Sequence, residues 1–108
     1  MSDITVTAFF GDKERPFILT DDMVQELEAK TQTGIGVLFQ RLTAHAFMLA
    51  DISETIRLGL IGAGTHPEEA ARLVHTYARN RPVAEILPIA TAILAARWLG
   101  ADEVQADG

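Results

Sequence analysis

Apolar and polar positions divide the first twenty residues into two strand-like runs. Ile4, Val6, Ala8 and Phe10 alternate with Thr5, Thr7 and Phe9, the period of a half-buried strand over Ile4–Phe10. Gly11-Asp12-Lys13-Glu14 reads as a polar turn. Pro16–Leu19 reads as a second, shorter strand, with Pro at its first position, where a missing N–H matters least. A β-hairpin over residues 4–19 is expected. Two strands alone are marginal in water, so the hairpin must pack on helices or pair an edge with another chain.

From Thr20 onward the period becomes helical. Thr20 is placed to cap a first helix, with Asp21 and Asp22 beside its positive end, Met23 and Leu27 facing inward, and Thr33-Gly34 ending it after about Gln32. A second helix is expected over Ile35–Met48, with Ile35, Leu38, Leu42 and Ala46 on one face. Asp51, with Glu54 three residues on, resembles a capping box that starts a third helix running to about Ala63. Ile52, Ile56, Leu60 and Ala63 form one apolar face of it, and Leu58 and Ile61 fall nearly opposite. Gly62 and Gly64 are expected to stop it. Thr65-His66-Pro67-Glu68 is a second capping-box sequence with Pro in the first turn. The fourth helix has the cleanest period: Ala70, Leu73, Val74, Tyr77 and Ala78 inward, Glu68, Glu69, Arg72, Thr76 and Arg79 outward. Asn80-Arg81-Pro82 breaks it and opens a fifth helix, Pro82–Leu99, which carries Pro88 inside it. The class implied is mainly α (α+β): a hairpin followed by about five helices in a small orthogonal bundle, one domain over residues 1–100. Residues 101–108 read as a flexible acidic tail.

The fifth helix is apolar on almost every side, and the third on two. A small domain rarely hides a helix completely, and contiguous apolar patches beyond a few hundred Å² mark interfaces. Leu58, Ile61, Ile86, Ile89, Ile93 and Trp98 are therefore the expected partner-binding residues, with core packing as the competing role for Trp98.

Composition narrows the function. Cys is absent, which removes disulfides, thiolate catalysis and zinc–thiolate sites and suits a reducing cytoplasm. The net charge is −6 and the nine Lys and Arg are scattered, so there is no basic stripe for nucleic acid. The start, MSDITVTAFF, lacks a basic n-region and does not read as a signal peptide. The apolar run Ile86–Leu99, about 14 residues, falls short of a bilayer span. No catalytic, cofactor or metal site is expected. Gly59, Gly62 and Gly64 follow a helix rather than a strand, so they do not form a phosphate loop. His45, His66 and His75 have no metal-pair spacing. Asp21-Asp22 and Glu68-Glu69 sit in first helical turns, where negative charge is stabilised in any case. Ser53 has no nucleophile-elbow context.

One resemblance adds to this reading. ETIRLGLIGAGTHPEEAARLVHTYARNRPVAEILPIATAILAARWLG (54–100) resembles the gene-transfer-agent family of phage-like tail proteins. So does QELEAKTQTGIGVL (25–38), which is similar to that family's LxELEAxTGxGixxL pattern. RLGLIGAG and the PxEAxxLVxxY helix are the most specific parts. The resemblance implies a non-enzymatic role in building a phage-like tail. Such proteins are described both as tail tube proteins and as tail assembly chaperones. The pattern of five helices and about a dozen strand residues favours a chaperone, with the tape-measure protein as partner and the tail tube protein and further copies of the chain as others. A structural tail component is the alternative reading, and a small helical regulatory binding protein a more distant one. The cytoplasm of the cell carrying the tail genes, or the particle's tail, is the implied location.

Overall fold

The computed structural model describes residues 3–101. The elements run β1 (Thr5–Phe10), β2 (Lys13–Ile18), α1 (Asp21–Thr31), α2 (Ile35–Thr43), α3 (Leu49–Gly62), α4 (Pro67–Tyr77) and α5 (Val83–Leu99). The mainly α class, with an N-terminal hairpin and five helices, is the one the chain adopts. The tail expected over residues 101–108 lies, from residue 102, outside the described residues. Ala101 itself is buried, and its N–H donates to Asp3 O at 2.7 Å.

The hairpin is tighter than its sequence implies. β1 and β2 pair antiparallel from Thr5↔Ile18 to Phe10↔Lys13, so the turn is only Gly11-Asp12. Gly11, at φ 76°, supplies the positive φ that a two-residue turn needs at its first central position. Its bare Cα faces the Tyr77 ring: a Cβ there would lie 2.5 Å from Cδ2. Pro16 is therefore inside β2, opposite Thr7, rather than at its start. Counting from the turn, Thr7↔Pro16 is a non-hydrogen-bonded pair, so the missing N–H falls on the outer side of β2 and the ladder loses nothing. Val6, Phe10 and Phe17 are buried on the inner face, and Phe10 meets both Phe17 and Tyr77 edge to face.

The helix ends follow local chemistry. Thr20 caps α1, its Oγ1 accepting from the Met23 N–H at 3.3 Å. The helix ends at Gln32 in the left-handed region (φ 56°), ahead of the expected Thr33-Gly34. Glu28 Oε2 then accepts from the Ile35 N–H at 2.9 Å, which ties α1 to the start of α2. α2 stops at Thr43, five residues before the expected Met48, because His45 takes φ 59° and turns the chain. α3 starts at Leu49. Asp51 is its third residue rather than its cap, and its carboxylate reaches back to the Met48 N–H at 2.8 Å. His66 rather than Thr65 caps α4, with Pro67 first in the helix. α5 continues through Pro88; the acceptor this frees, the Ala84 carbonyl, belongs to an exposed residue that water can reach.

α3 packs against β2, α1, α4 and α5, while α5 also lies along β1 and α2. Arg97 near the end of α5 locks the assembly, with Nη1 donating to Leu19 O at 3.1 Å and Nη2 to Asp21 at 2.5 Å. Two glycines let α3 lie this close to the hairpin. A Cβ on Gly59 would sit 3.3 Å from Phe17 Cβ and 3.4 Å from Ile93 Cδ1. A Cβ on Gly62 would sit 1.8 Å from Ile18 O. Gly62 is thus a site of close backbone approach and the last residue of α3, not merely its stop.

This contact decides between two opposed effects. Helix propensity favours Ala over Gly by about 1 kcal/mol, whereas overpacking costs about 1–3 kcal/mol or more. Gly62→Ala should lower stability by roughly 1–3 kcal/mol in urea unfolding. Gly36→Ala, whose methyl would meet only the Trp98 ring at 3.7 Å, should not lower it. Equal stability of Gly62→Ala and the parent chain would refute the close approach.

Candidate functional site

An apolar groove lies where α3, α4 and the start of α5 meet. Leu49, Ala50 and Ser53 form one wall. Ala71, Val74, His75 and Ala78 of α4 and its end form the other, with Ile86 beneath; the space is about 440 Å³. Leu49 of the first wall is 63% exposed, and Met48 just before it in the chain is 67% exposed. Large apolar side chains so open at a helix start need something to hold them there. Asp51 does so. Its carboxylate is buried, accepts the Met48 N–H, and lies 3.6 Å from Arg41 Nη1. One turn on, Thr55 Oγ1 donates to Asp51 O at 2.7 Å. Asp51 and Thr55 are the buried polar side chains, and among the described residues no buried side-chain N or O lacks a partner.

The groove carries positive charge on its rim. Arg15, Arg41, Arg57, Arg72 and Arg97 each pair with a carboxylate. Arg79 pairs with none among the described residues; its Nη1 instead lies 3.4 Å from His75 Nδ1. Arg81, just beyond, lines a smaller cavity with Phe9, Tyr77, Glu85 and Ile89.

The residues expected to bind a partner are scattered by the fold. Leu58, Ile86 and Ile93 are core residues, no more than 4% exposed. This corrects their expected place on an outer face: β2, α1, α4 and α5 surround α3, and the inner side of α5 lies against α3 and β1. Ile61 and Ile89 are half-buried against that core. Trp98 is on the surface, 59% exposed, its ring 6.0 Å from that of Phe39 and close to Gly36 of α2. Twelve residues of helix separate Trp98 from Ile86, about 18 Å, so the two mark separate patches. Among the described residues the exposed large apolar side chains outside that set are Phe9, Val37, Met48, Leu49, Val83 and Leu99. Met48 and Leu49 left a faint sequence signal: two large apolar residues at a helix junction, off every apolar stripe.

The reactive side chains do not converge. His66 Nδ1 accepts from the Glu68 N–H at 3.3 Å as a cap, and His45 lies in the turn after α2. Ser53 Oγ donates to Ala50 O. Among the described residues no three His, Asp or Glu side chains are grouped to hold a metal ion. The displaced carboxylates are surface groups with nearby donors. The Arg15 guanidinium lowers Asp12, that of Arg72 lowers Glu69, and the Thr5 main-chain N–H and hydroxyl lower Asp3 below their ordinary values. Glu69 in turn raises Arg72. Among the described residues no helix is long and apolar enough to cross a membrane.

A helical fold with capped polar groups and an apolar groove beside Arg79 offers a surface on which another protein could dock. The family is shown by comparison. A protein-family model described as phage tail tube protein, GTA-gp10, matches residues 3–100, and the chain belongs to this family of gene-transfer-agent and phage tail proteins. No curated protein and no solved structure matches it.

Asp51→Ala tests how the groove is held. It removes the partner of the Met48 N–H and leaves Arg41 unpaired, so stability should fall by about 1–2 kcal/mol. Main-chain amide exchange at residues 48–50 should rise by more than that at the end of α3. Uniform exchange along α3 would rule out the anchoring role.

Proposed function

We propose that this protein is a non-enzymatic tail assembly chaperone that holds amphipathic helices of the tape-measure protein until the tube forms around them. The groove between α3, α4 and α5 carries this reading. Its apolar lining suits the i, i+3, i+4, i+7 side chains of a docked helix. The guanidinium of Arg79, which pairs with no carboxylate among the described residues, favours a helix with a carboxylate beside its apolar stripe. A tape-measure protein is long and largely helical, and its apolar stripes aggregate if left uncovered. The net charge of −6 helps keep a complex of the two soluble. The cytoplasm of the cell that builds the particle is where this work would be done.

The alternative reading is a tube-associated subunit that stays in the tail. The family's description favours it. The two-stranded sheet supports it poorly, since a stacked tube wall is normally built from a large sheet. Composition of purified particles separates the readings: a chaperone is absent and a tube subunit is present in many copies.

Co-expression with the tape-measure protein of the same gene cluster tests the proposal. The chain should co-purify with it and raise its soluble fraction. Leu49→Asp should reduce that capture at least about tenfold without changing the chain's circular dichroism. Trp98 lies about 18 Å along α5 from the groove, so its fluorescence should not shift on binding. Failure to co-purify or to solubilise the partner sinks the chaperone reading, and a large Trp98 shift moves the site to the α2–α5 patch.

A further inference from the structure

The two edges of the hairpin are chemically unequal. Counting hydrogen-bonded pairs from the Gly11-Asp12 turn, the N–H and C=O groups of Glu14, Pro16 and Ile18 point outward from β2, and those of Thr5, Thr7 and Phe9 outward from β1. The β2 edge is closed to pairing. Pro16 has no N–H, Lys13, Glu14 and Arg15 carry charge, and the Ile18 carbonyl lies against Gly62. From Thr7 to Phe9 the β1 edge has none of these guards. Its sequence TVTAFF is uncharged and rich in β-branched and aromatic residues. The Thr5 N–H is taken by Asp3 Oδ1, but no described residue bonds the main-chain groups of Thr7 or Phe9 on that side. Phe9, on the solvent face, is 62% exposed.

We propose that the β1 edge pairs with the β1 edge of a second copy of this chain, antiparallel and two-fold symmetric about Thr7. In that register Thr7 faces Thr7 of the other copy and exchanges two hydrogen bonds with it. Phe9 N–H donates to the Thr5 carbonyl opposite, twice over by symmetry. Each pair uses groups that are open in the single chain. The register makes a four-stranded sheet and lays each Phe9 across from a Thr5 methyl, a pairing that stabilises sheets. A second copy fits this edge better than a charged partner strand. In a chain of net charge −6, β1 is a strip on which two copies meet without opposing like charges. The surface is distinct from the groove between α3, α4 and α5 and does not depend on what that groove binds.

The purified full-length chain tests this without any partner. Sedimentation velocity should show a concentration-dependent monomer–dimer equilibrium that tightens with salt, as net repulsion is screened. Thr7→Lys with Phe9→Lys should weaken it at least about tenfold while the thermal transition of the dilute monomer stays in place. The chain has no Cys, so Thr7→Cys gives a clean register probe. Facing Cα atoms of a hydrogen-bonded antiparallel pair lie about 5.5 Å apart, within disulfide reach, so mild oxidation should yield a covalent dimer. Phe9→Cys alone, facing Thr5, should not. A monomer at every concentration overturns the proposal. So does a dimer that survives the lysine pair, or one that Phe9→Cys cross-links as well as Thr7→Cys.

Discussion

The burial of α3 is the constraint on which the rest of the molecule depends. It is the element that touches β2, α1, α4 and α5 together, and it satisfies four neighbours with side chains of very different size. Ile52, Ile56, Leu58 and Leu60 fill the helical sides. Gly59 and Gly62 leave the side toward β2 almost flat, so strand backbone can approach helix backbone. A two-stranded hairpin has too little of its own to be stable. Here it borrows stability from that flat side, through Phe17 and Leu19 in the core. Arg97 then closes the far end by tying α5 to the β2–α1 junction.

That arrangement explains which parts of the fold were legible in the sequence. Elements with local determinants were legible: Thr20 capping α1, Pro67 opening α4, and the inward row Ala70, Leu73, Val74 and Ala78. Elements set by distant contacts were not. The end of α2 depends on His45 adopting positive φ without a Gly or Pro to announce it. Lys13 and Glu14 read as turn residues because they are polar, yet both are exposed at the start of β2, where the ladder accepts them. Asp51 looked like a cap because a carboxylate near a helix start usually is one. Its place at the third position becomes clear only with Met48 as its acceptor's donor.

The apolar surplus was legible, but its location was not. Periodicity tells which residues are apolar; it does not tell which helix takes the centre. α5 has the more continuous apolar sequence, so it looked like the helix in need of a partner. Its inner residues Ile86, Ile93 and Leu94 are in fact consumed by the core. α3, with Ser53, Glu54 and Arg57 along it, looked more ordinary, yet it is the more enclosed helix, because glycine contributes to close packing without counting as hydrophobic. Most of what remains outside is at element ends and on the outer strand face: Met48 and Leu49 at the start of α3, Trp98 and Leu99 at the end of α5, Phe9 on β1.

The groove and the β1 edge are neighbours rather than competitors. Ile86 underlies the groove and also lines the cavity beside Phe9 and Tyr77, so the α4–α5 turn lies between the two surfaces. Chains joined at β1 would therefore present two grooves in one particle, each with its own Arg79 rim. A second groove adds little for a short helical peptide. For a long partner with repeated amphipathic stripes it makes the second capture intramolecular, and the effective concentration of the tethered segment replaces its bulk concentration. Weak grooves would then suffice. Weakness is itself useful to a chaperone, because a helix held by two shallow sites can be released one site at a time as a competing subunit advances along it. A deep, single, tight site would have to let go all at once.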